Sequence, residues 1–125
     1  MPRDGDEPRG GLPRNFLRAS LLLLVREQAS HGYDLLERLR ELGIHDADPG
    51  GLYRALRAME QEGLMGSSWE TSDVGPARRT YVLTDEGEDW LHAWAGSLRR
   101  TAVAIDRYLD RYERLFSAST EAEVR

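Results

Sequence analysis

The chain has 125 residues, of which 40% are apolar and 31% are charged, and its formal charge at pH 7 is −5. A chain of this length fits one domain with a hydrophobic core that needs no disulfide or metal. Cysteine is absent, which excludes a disulfide framework, a thiolate nucleophile, a cysteine-ligated zinc and an iron–sulfur cluster.

The first segment, residues 1–12, consists mainly of Arg, Asp, Gly and Pro. So polar a segment cannot bury enough apolar surface to offset the entropy lost on ordering, and we expect a disordered tail. It lacks the apolar run of a signal peptide. The longest apolar run in the chain, residues 21–25, is far too short to span a membrane. We therefore expect a soluble, cytoplasmic protein with no membrane partner.

Three helices are predicted after this tail. The first, residues 15–28, has no internal Gly or Pro, and its apolar residues occupy most of the helical circumference, as in a helix buried on more than one side. Ser30 stands where the N-cap of a second, amphipathic helix would be, and Gly43 can end that helix. Asp48, directly before a proline, predicts the start of a third helix over residues 49–62, which Gly63 can end. Two helices joined by a short turn form a helix-turn-helix.

The periodicity changes after the third helix. Residues 64–70 and 79–83 are short segments containing Trp, Tyr, Val and Thr, and a loop with Gly75 and Pro76 separates them. Two such strands directly after a helix-turn-helix form a wing. We therefore interpret residues 13–84 as a winged helix-turn-helix domain, and the fold class is mostly α with a small β-wing.

A long helix is predicted over residues 85–116, with Thr84 as its N-cap and a disordered tail over residues 117–125. Its apolar residues follow one another at steps of three or four residues, as in a coiled-coil seam. They are Leu91, Trp94, Leu98, Ala102, Ile105, Leu109, Tyr112 and Phe116. Such a seam needs a partner surface, either its own winged domain or a second copy of the chain. We favour a dimerisation helix that associates through Leu91, Leu98, Ile105, Leu109 and Tyr112.

No catalytic or metal site is predicted. His31, His45 and His92 belong to different elements, and the sequence has neither a G-x-S-x-G nucleophile motif nor a G-x-x-x-x-G-K-[ST] phosphate loop. Asp46 and Asp48 begin like a calcium-binding loop, but a Gly and an Arg stand where two of its oxygen ligands should be. We therefore expect no enzyme, no metal and no cofactor, and we attribute these aspartates to helix capping.

The negative charge is unevenly distributed. Residues 31–48 carry two Arg against five acidic residues and residues 82–125 carry six against nine, whereas residues 49–81 carry four of each. Every basic residue is Arg, which suits bidentate contacts to phosphates and guanine edges; codon bias in a GC-rich genome is an alternative reason for this usage. The acidic total therefore does not argue against a nucleic-acid partner for the neutral segment.

The third helix provides most of the candidate DNA contacts. Gly50 and Gly51 would let backbone amides approach a phosphate at the helix N-terminus. Tyr53 and Arg54 would face base edges or phosphates in a major groove, with Arg57 one turn deeper.

The wing adds Arg78 and Arg79, which would reach the DNA backbone or the minor groove. Each arginine alone is equally well explained as a solvated side chain or a member of an ion pair. As a set on a helix-turn-helix with a wing, they favour double-stranded DNA as the partner. The alternative is a winged-helix adaptor that binds another protein, which the charge of −5 motivates.

Five short motifs follow one another in the chain. They are His31-Gly-Tyr33, Pro49-Gly-Gly-Leu-Tyr-Arg-Ala-Leu56, Met59-Glu-Gln-Glu-Gly-Leu64, Gly75-Pro-Ala-Arg-Arg-Thr-Tyr81 and Leu83-Thr-Asp-Glu-Gly87. In this order and spacing, residues 15–95 resemble the PadR family of bacterial transcriptional regulators. The resemblance implies a homodimeric repressor whose third helix and wing bind a palindromic operator, and whose single last helix forms the dimer.

The resemblance also implies roles for individual residues. Tyr33 and Tyr53 match tyrosines that tend to contact the DNA backbone. Many members are released from DNA by small aromatic ligands bound near the dimer interface. Trp90 and Trp94 lie on the helix that would line such a site, and ordinary interface packing is the alternative role for both. Gly51 departs from the family, because many relatives have a hydroxyl residue there, so a side-chain contact with DNA is lost.

Overall fold

The computed structural model describes residue 12, residues 15–71, residue 75 and residues 77–124, with side chains described as far as residue 117. The elements in chain order are α1 (Phe16–Glu27), β1 (Ser30–His31), α2 (Gly32–Glu41), α3 (Pro49–Gln61), β2 (Met65–Glu70), β3 (Arg78–Leu83) and α4 (Asp85–Val124). They confirm a mostly helical fold with a small wing and a long last helix. The chain forms two compact units, Met1–Leu91 and His92–Arg125. The disordered tail predicted at the N-terminus, residues 1–12, lies outside the described residues except for Leu12.

The strands form one antiparallel sheet in the order β1-β3-β2. Strands β2 and β3 pair without interruption from Met65↔Leu83 to Glu70↔Arg78, which confirms the two predicted strands of the wing. The third strand, β1, is not signalled by the sequence, because a strand of two residues shows no alternation.

Strand β1 also changes the role of Ser30. This residue pairs with Tyr81 of β3, and its hydroxyl donates to the carbonyl oxygen of Gln28 at 3.1 Å. The N-cap position of α2 belongs to His31 instead. The prediction that Ser30 caps α2 is therefore wrong, because pairing with β3 holds Ser30 in the sheet.

The core of the first unit is made chiefly by three helices. Its largest fully buried side chains are Leu21, Leu22, Leu35, Leu39, Leu52, Leu56 and Met59. Helix α1 alone has six buried residues, including four of the five in its apolar run. This confirms that α1 is buried on more than one side, as its apolar circumference predicts.

Glycines end α2 and α3, as predicted. Gly43 has φ 93° and Gly63 has φ 81°, a region that favours glycine because it has no Cβ. At the end of α2, the Gly43 amide donates to the Arg40 carbonyl and the Ile44 amide donates to the Leu39 carbonyl, each at 3.0 Å. This is the Schellman pattern, which satisfies the last carbonyls of the helix.

The side chain of Arg38 joins α2 to the end of α1. Its guanidinium donates to the carbonyl oxygen of Leu24 at 2.6 Å and to that of Gln28 at 3.2 Å. It also donates to the hydroxyl of Ser30 at 2.5 Å. These oxygens belong to the last turn of α1 and the segment after it, so Arg38 satisfies acceptors that the helix leaves open. The sequence gives no signal for this role, because it depends on how α1 and α2 pack.

The turn after α3 and the first turn of α4 meet closely. The Thr84 hydroxyl donates to the carbonyl oxygen of Gly63 at 2.6 Å and accepts from the amide of Gly87 at 3.0 Å, which confirms Thr84 as the N-cap. The Thr84 amide donates to the carbonyl oxygen of Leu64 at 3.2 Å. A Cβ added at Gly87 would overlap that same carbonyl oxygen. Glycine at position 87 therefore permits the close approach.

Helix α4 continues to Val124, although the sequence predicts an end at Phe116 and a disordered tail beyond it. Residues 117–124 contain no Gly or Pro and include several good helix formers. The prediction placed the end of the helix at Phe116, the last residue of the apolar seam. The helix continues beyond the seam. Although α4 has 40 residues, no helix in the described part of the chain is long and apolar enough to cross a membrane.

Candidate nucleic-acid interface

The N-terminus of α3 is capped by Asp48. Its carboxylate accepts a hydrogen bond from the Gly51 amide at 3.0 Å, and Pro49 occupies the first helical turn. A Cβ added at Gly51 would lie 2.6 Å from Asp48 Oδ1, so glycine makes room for the cap. The Gly51 amide already donates to this carboxylate, so a phosphate would have to compete with Asp48 for it. The approach of the Gly50 and Gly51 amides to a phosphate stays a prediction.

Tyr53 lies against the start of α2. A Cβ added at Gly32 would stand 2.5 Å from Tyr53 Cε1 and 3.0 Å from its hydroxyl oxygen. The Tyr53 ring can occupy this position because Gly32 has no side chain. The tyrosine remains about half exposed. Tyr33, the next residue of α2, is 70% exposed. The two predicted backbone-contacting tyrosines thus come from motifs that meet in space.

The two arginines of α3 differ in their surroundings. Both are exposed. The Arg54 guanidinium lies over the first turn, with Nη1 3.4 Å from the position a Cβ would take at Gly50. Arg57 instead lines the groove between α3 and the wing.

A polar cluster, which we call the wing cluster, joins α3 to the wing and consists of Glu60, Ser67, Trp69 and Arg79. Arg79 donates from Nε to the Ser67 hydroxyl at 2.8 Å and from Nη2 to Glu60 Oε2 at 3.3 Å. The Ser67 hydroxyl donates to the same carboxylate oxygen at 2.5 Å. The Arg79 guanidinium carbon also lies 5.7 Å from the centre of the Trp69 ring, within cation–π range.

The wing cluster changes the interpretation of the two wing arginines. Both side chains are exposed, but Arg79 joins β3 to α3 through its ion pair with Glu60. Sequence reasoning missed the other three members of the cluster. The strand register would have identified Trp69, because it places Trp69 directly opposite Arg79. The sequence alone does not give that register.

Tyr81 lies buried beside the wing cluster. Burial raises the pKa of its phenol above the ordinary value of 10.0; Glu60 and Tyr53 raise it further, and Arg79 and Arg57 oppose the shift. The hydroxyl is therefore neutral at physiological pH.

A groove of about 680 Å³ runs between α3, the start of α2 and the wing. Five of the eight predicted DNA contacts line it, namely Tyr33, Tyr53, Arg57, Arg78 and Arg79. Gly50, Gly51 and Arg54 lie outside it, toward the N-terminus of α3. The acidic residues Asp34 and Glu60 also line the groove, and Glu60 is paired with Arg79.

The residues predicted to serve an effector or a dimer lie on α4. Trp90 is exposed and Leu91 partly buried in the first unit. In the second unit Trp94 and Leu98 are partly buried. Farther along the seam Ile105, Leu109 and Tyr112 are 45–50% exposed in the single chain.

Comparison with known proteins agrees with this architecture. The family model described as the transcriptional regulator PadR-like family matches residues 21–93, more than half of the chain. A search of curated sequences gives no significant match. Among solved structures, a conserved protein of unknown function described as a potential transcriptional factor is 35% identical, with a TM-score of 0.72 over 87% of this chain and 99% of that chain.

Two further structures carry the family name. A PadR-like transcriptional regulator from Bacillus cereus strain ATCC 14579 is 25% identical, with a TM-score of 0.70 over 77% of this chain and 93% of its own. Bacillus subtilis PadR, solved in complex with operator DNA, is 28% identical, with a TM-score of 0.60 over 66% of this chain and 48% of its own. With the motifs, the winged fold and the family model in agreement, the chain belongs to the PadR-like family of transcriptional regulators.

Proposed function

We propose that the protein is a homodimeric DNA-binding repressor that recognises a palindromic operator through α3 and the wing. The observation that carries the proposal is the groove beside α3, where Tyr33, Tyr53, Arg57 and Arg78 lie on one exposed surface. Bacillus subtilis PadR, a protein of similar fold, is bound to operator DNA. The proposal transfers that partner to this chain.

In this proposal, α3 enters a major groove. Arg54 and Arg57 contact phosphates or base edges. The hydroxyls of Tyr33 and Tyr53 donate hydrogen bonds to the DNA backbone. Arg78 reaches the backbone from the wing. Gly50 lies at the end of α3 that Asp48 caps, and we expect little phosphate binding there, because the Asp48 carboxylate would repel an anion.

The dimer is proposed from the seam of α4. Ile105, Leu109 and Tyr112 are about half exposed in a single chain, and burying such an apolar stripe favours association. Twofold pairing would present two α3 helices about one turn of DNA apart, so the operator would share the twofold symmetry. The winged domain, residues 13–84, has no net positive charge, with nine Arg against ten acidic residues, so binding would depend on both protomers acting together.

An effector site is proposed at Trp90 and Trp94, where a small aromatic ligand would release the repressor from DNA. The exposure of Trp90 on α4 supports access by a ligand. Packing within the dimer interface is the competing role. A flat tryptophan fluorescence response to a broad panel of aromatic compounds would favour packing.

The test is binding to promoter DNA of the source genome across a salt series. Phosphate contacts release counterions, so the affinity should fall steeply with salt. Arg54→Ala with Arg57→Ala removes two contacts from each of the two protomers and should lower the slope of log K against log salt by about 4 for the dimer. Arg40→Ala with Arg99→Ala removes the same charge from α2 and α4 and should leave the slope unchanged. No binding at low salt, together with a captured protein partner, would favour the adaptor instead.

A further inference from the structure

We propose that Trp69 contacts the sugar–phosphate backbone of bound DNA, and that Arg79 acts as a positioning residue that holds the Trp69 ring. This inference rests on the proposed function. It assigns Trp69 a contact that sequence reasoning did not, and it gives Arg79 a role other than binding phosphate.

Trp69 has an unusual exposure for so large an apolar side chain. It is 66% exposed, so its indole adds little to the hydrophobic core. It is nevertheless held in place, because the Arg79 guanidinium lies over its ring at 5.7 Å. An exposed ring that is fixed in advance loses less conformational entropy on binding a partner.

Arg79 is poorly suited to bind a phosphate. Its Nη2 is paired with the Glu60 carboxylate at 3.3 Å and its Nε donates to the Ser67 hydroxyl at 2.8 Å. A phosphate would have to compete with Glu60 for the guanidinium and would be repelled by that carboxylate. The contacts to Glu60 and Ser67 instead fix the position of the guanidinium over the indole.

The strand register places Trp69 on the side of the wing that meets α3. Side chains alternate between the faces of a sheet, and Ser67 and Trp69 stand opposite Tyr81 and Arg79. These four side chains therefore share one face. Val82, one residue from Tyr81 along β3, belongs to the other face.

The chemistry of this face fits a DNA backbone. Trp69 lines the same groove as Arg57 and Tyr53, so an apolar ring stands near a cation and a phenol. A DNA backbone alternates anionic phosphates with apolar deoxyribose rings. Arg57 and Tyr53 would contact phosphates, and the indole would pack on a deoxyribose between them.

The experiment measures binding of the full chain to a labelled random-sequence duplex of about 30 base pairs at low salt, where backbone contacts dominate. Trp69→Ala should weaken binding about tenfold, as for truncation of an aromatic contact. Its salt slope should stay unchanged, because no charge is lost, whereas Arg57→Ala removes one contact from each protomer and should lower the slope for the dimer by about 2. Trp69→Phe should retain most of the affinity, and Val82→Ala, on the opposite face, should bind like the parent protein.

Arg79 is tested by a double-mutant cycle with Trp69. Arg79→Lys keeps the charge but not the planar group, and it should weaken binding as much as Arg79→Ala, with the parent salt slope. In the Trp69→Ala background, Arg79→Lys should have little further effect, because the two residues act through one contact. Thermal unfolding identifies any variant that does not fold.

Three outcomes would overturn the inference. If Trp69→Ala binds DNA with the affinity of the parent protein, Trp69 does not contact the DNA. If Arg79→Lys keeps the full DNA affinity and Arg79→Ala has a lower salt slope, Arg79 binds a phosphate. If the losses of DNA affinity caused by the Trp69 and Arg79 substitutions simply add, Arg79 does not act by positioning Trp69. In each case the parent protein still binds DNA and the proposed function stands, whereas a parent protein that binds no duplex at low salt would overturn both.

Discussion

The ring of Tyr53 on α3 lies directly on the backbone of Gly32 at the start of α2, where a Cβ would come within 2.5 Å of Tyr53 Cε1. This contact explains why a glycine precedes Tyr33 in one motif while a tyrosine stands in the middle of another. Neither motif alone shows a reason for its residue. Together they fix a tyrosine ring at the edge of the candidate DNA-binding groove.

Gly32→Ala is expected to displace the Tyr53 ring. Because the ring is half exposed and can swing outward, we expect a loss of unfolding free energy within about 1 kcal/mol. DNA affinity should fall about as much as in Tyr53→Ala. Thermal unfolding and duplex titration measure the two effects. Tyr53→Phe, which keeps the ring and loses the hydroxyl, separates ring packing from hydrogen bonding. Unchanged DNA affinity in Gly32→Ala would contradict the role given to Tyr53.

Gly87→Ala is expected to destabilise the first unit strongly. The added Cβ meets the carbonyl oxygen of Leu64, which is backbone and cannot move without breaking the contact to Thr84. We expect a loss of about 2 kcal/mol or more in urea unfolding at constant protein concentration. Gly96→Ala is the matched control, since its Cβ approaches only the Arg100 guanidinium, at 3.7 Å, and should stabilise α4 by up to about 1 kcal/mol.

Arg38→Ala is expected to cost about 2 kcal/mol, because two carbonyl oxygens at the end of α1 and the Ser30 hydroxyl of β1 lose a charged donor. Arg38→Lys should restore only part of this, since an ammonium cannot reach the same oxygens with the geometry of a guanidinium. Arg40→Ala, an exposed arginine in the same last turn, should change stability by less than about 0.5 kcal/mol. Equal effects at positions 38 and 40 would refute the capping role.

Leu109→Glu is expected to convert the proposed dimer into a monomer, because it places a charge in the middle of the seam. Light scattering at several protein concentrations measures the mass. Val103→Glu is the control: Val103 is 47% exposed, but at 100° per residue it lies well away from the seam. A dimer that survives Leu109→Glu unchanged would place the interface elsewhere.

Tyr81 is expected to make stability depend on pH in the alkaline range. Burial raises the pKa of its phenol above 10.0, so the fold favours the protonated form. This contribution is fully present below about pH 10 and is lost as the pH rises through the raised pKa. Because the chain has no lysine, no ammonium side chain contributes in this range.

The measurement for Tyr81 is the urea midpoint between about pH 8 and pH 11. The parent protein should lose more stability over this range than Tyr81→Phe, which has no phenol to ionise. Tyr33→Phe removes an exposed phenol and should follow the parent curve. Parallel curves for the parent protein and Tyr81→Phe would show that the buried phenol does not contribute.

Local signals in the sequence predict the helix-turn-helix and the wing well. Asp48 before a proline, Gly43, Gly63 and Thr84 each act within a few residues of their own position, and all four have the predicted roles. Their physics is that of caps and turns, which needs no knowledge of distant neighbours.

The features that sequence reasoning missed depend on distant contacts. Strand β1 exists because β3 lies beside it, and Arg38 becomes a cap because α2 packs on α1. Arg79 stands among other arginines in the sequence as a candidate phosphate ligand. Only the strand register and the position of Glu60 show that its charge is used within the protein.

The junction between Gly63-Leu64 and Thr84-Gly87 has a mechanical consequence. The backbone that ends α3 and the cap that begins α4 share hydrogen bonds, and no flexible linker separates them at that point. A tilt of the first turn of α4 must therefore be shared by the end of α3. The angle at which α3 is presented therefore depends on the first turn of α4.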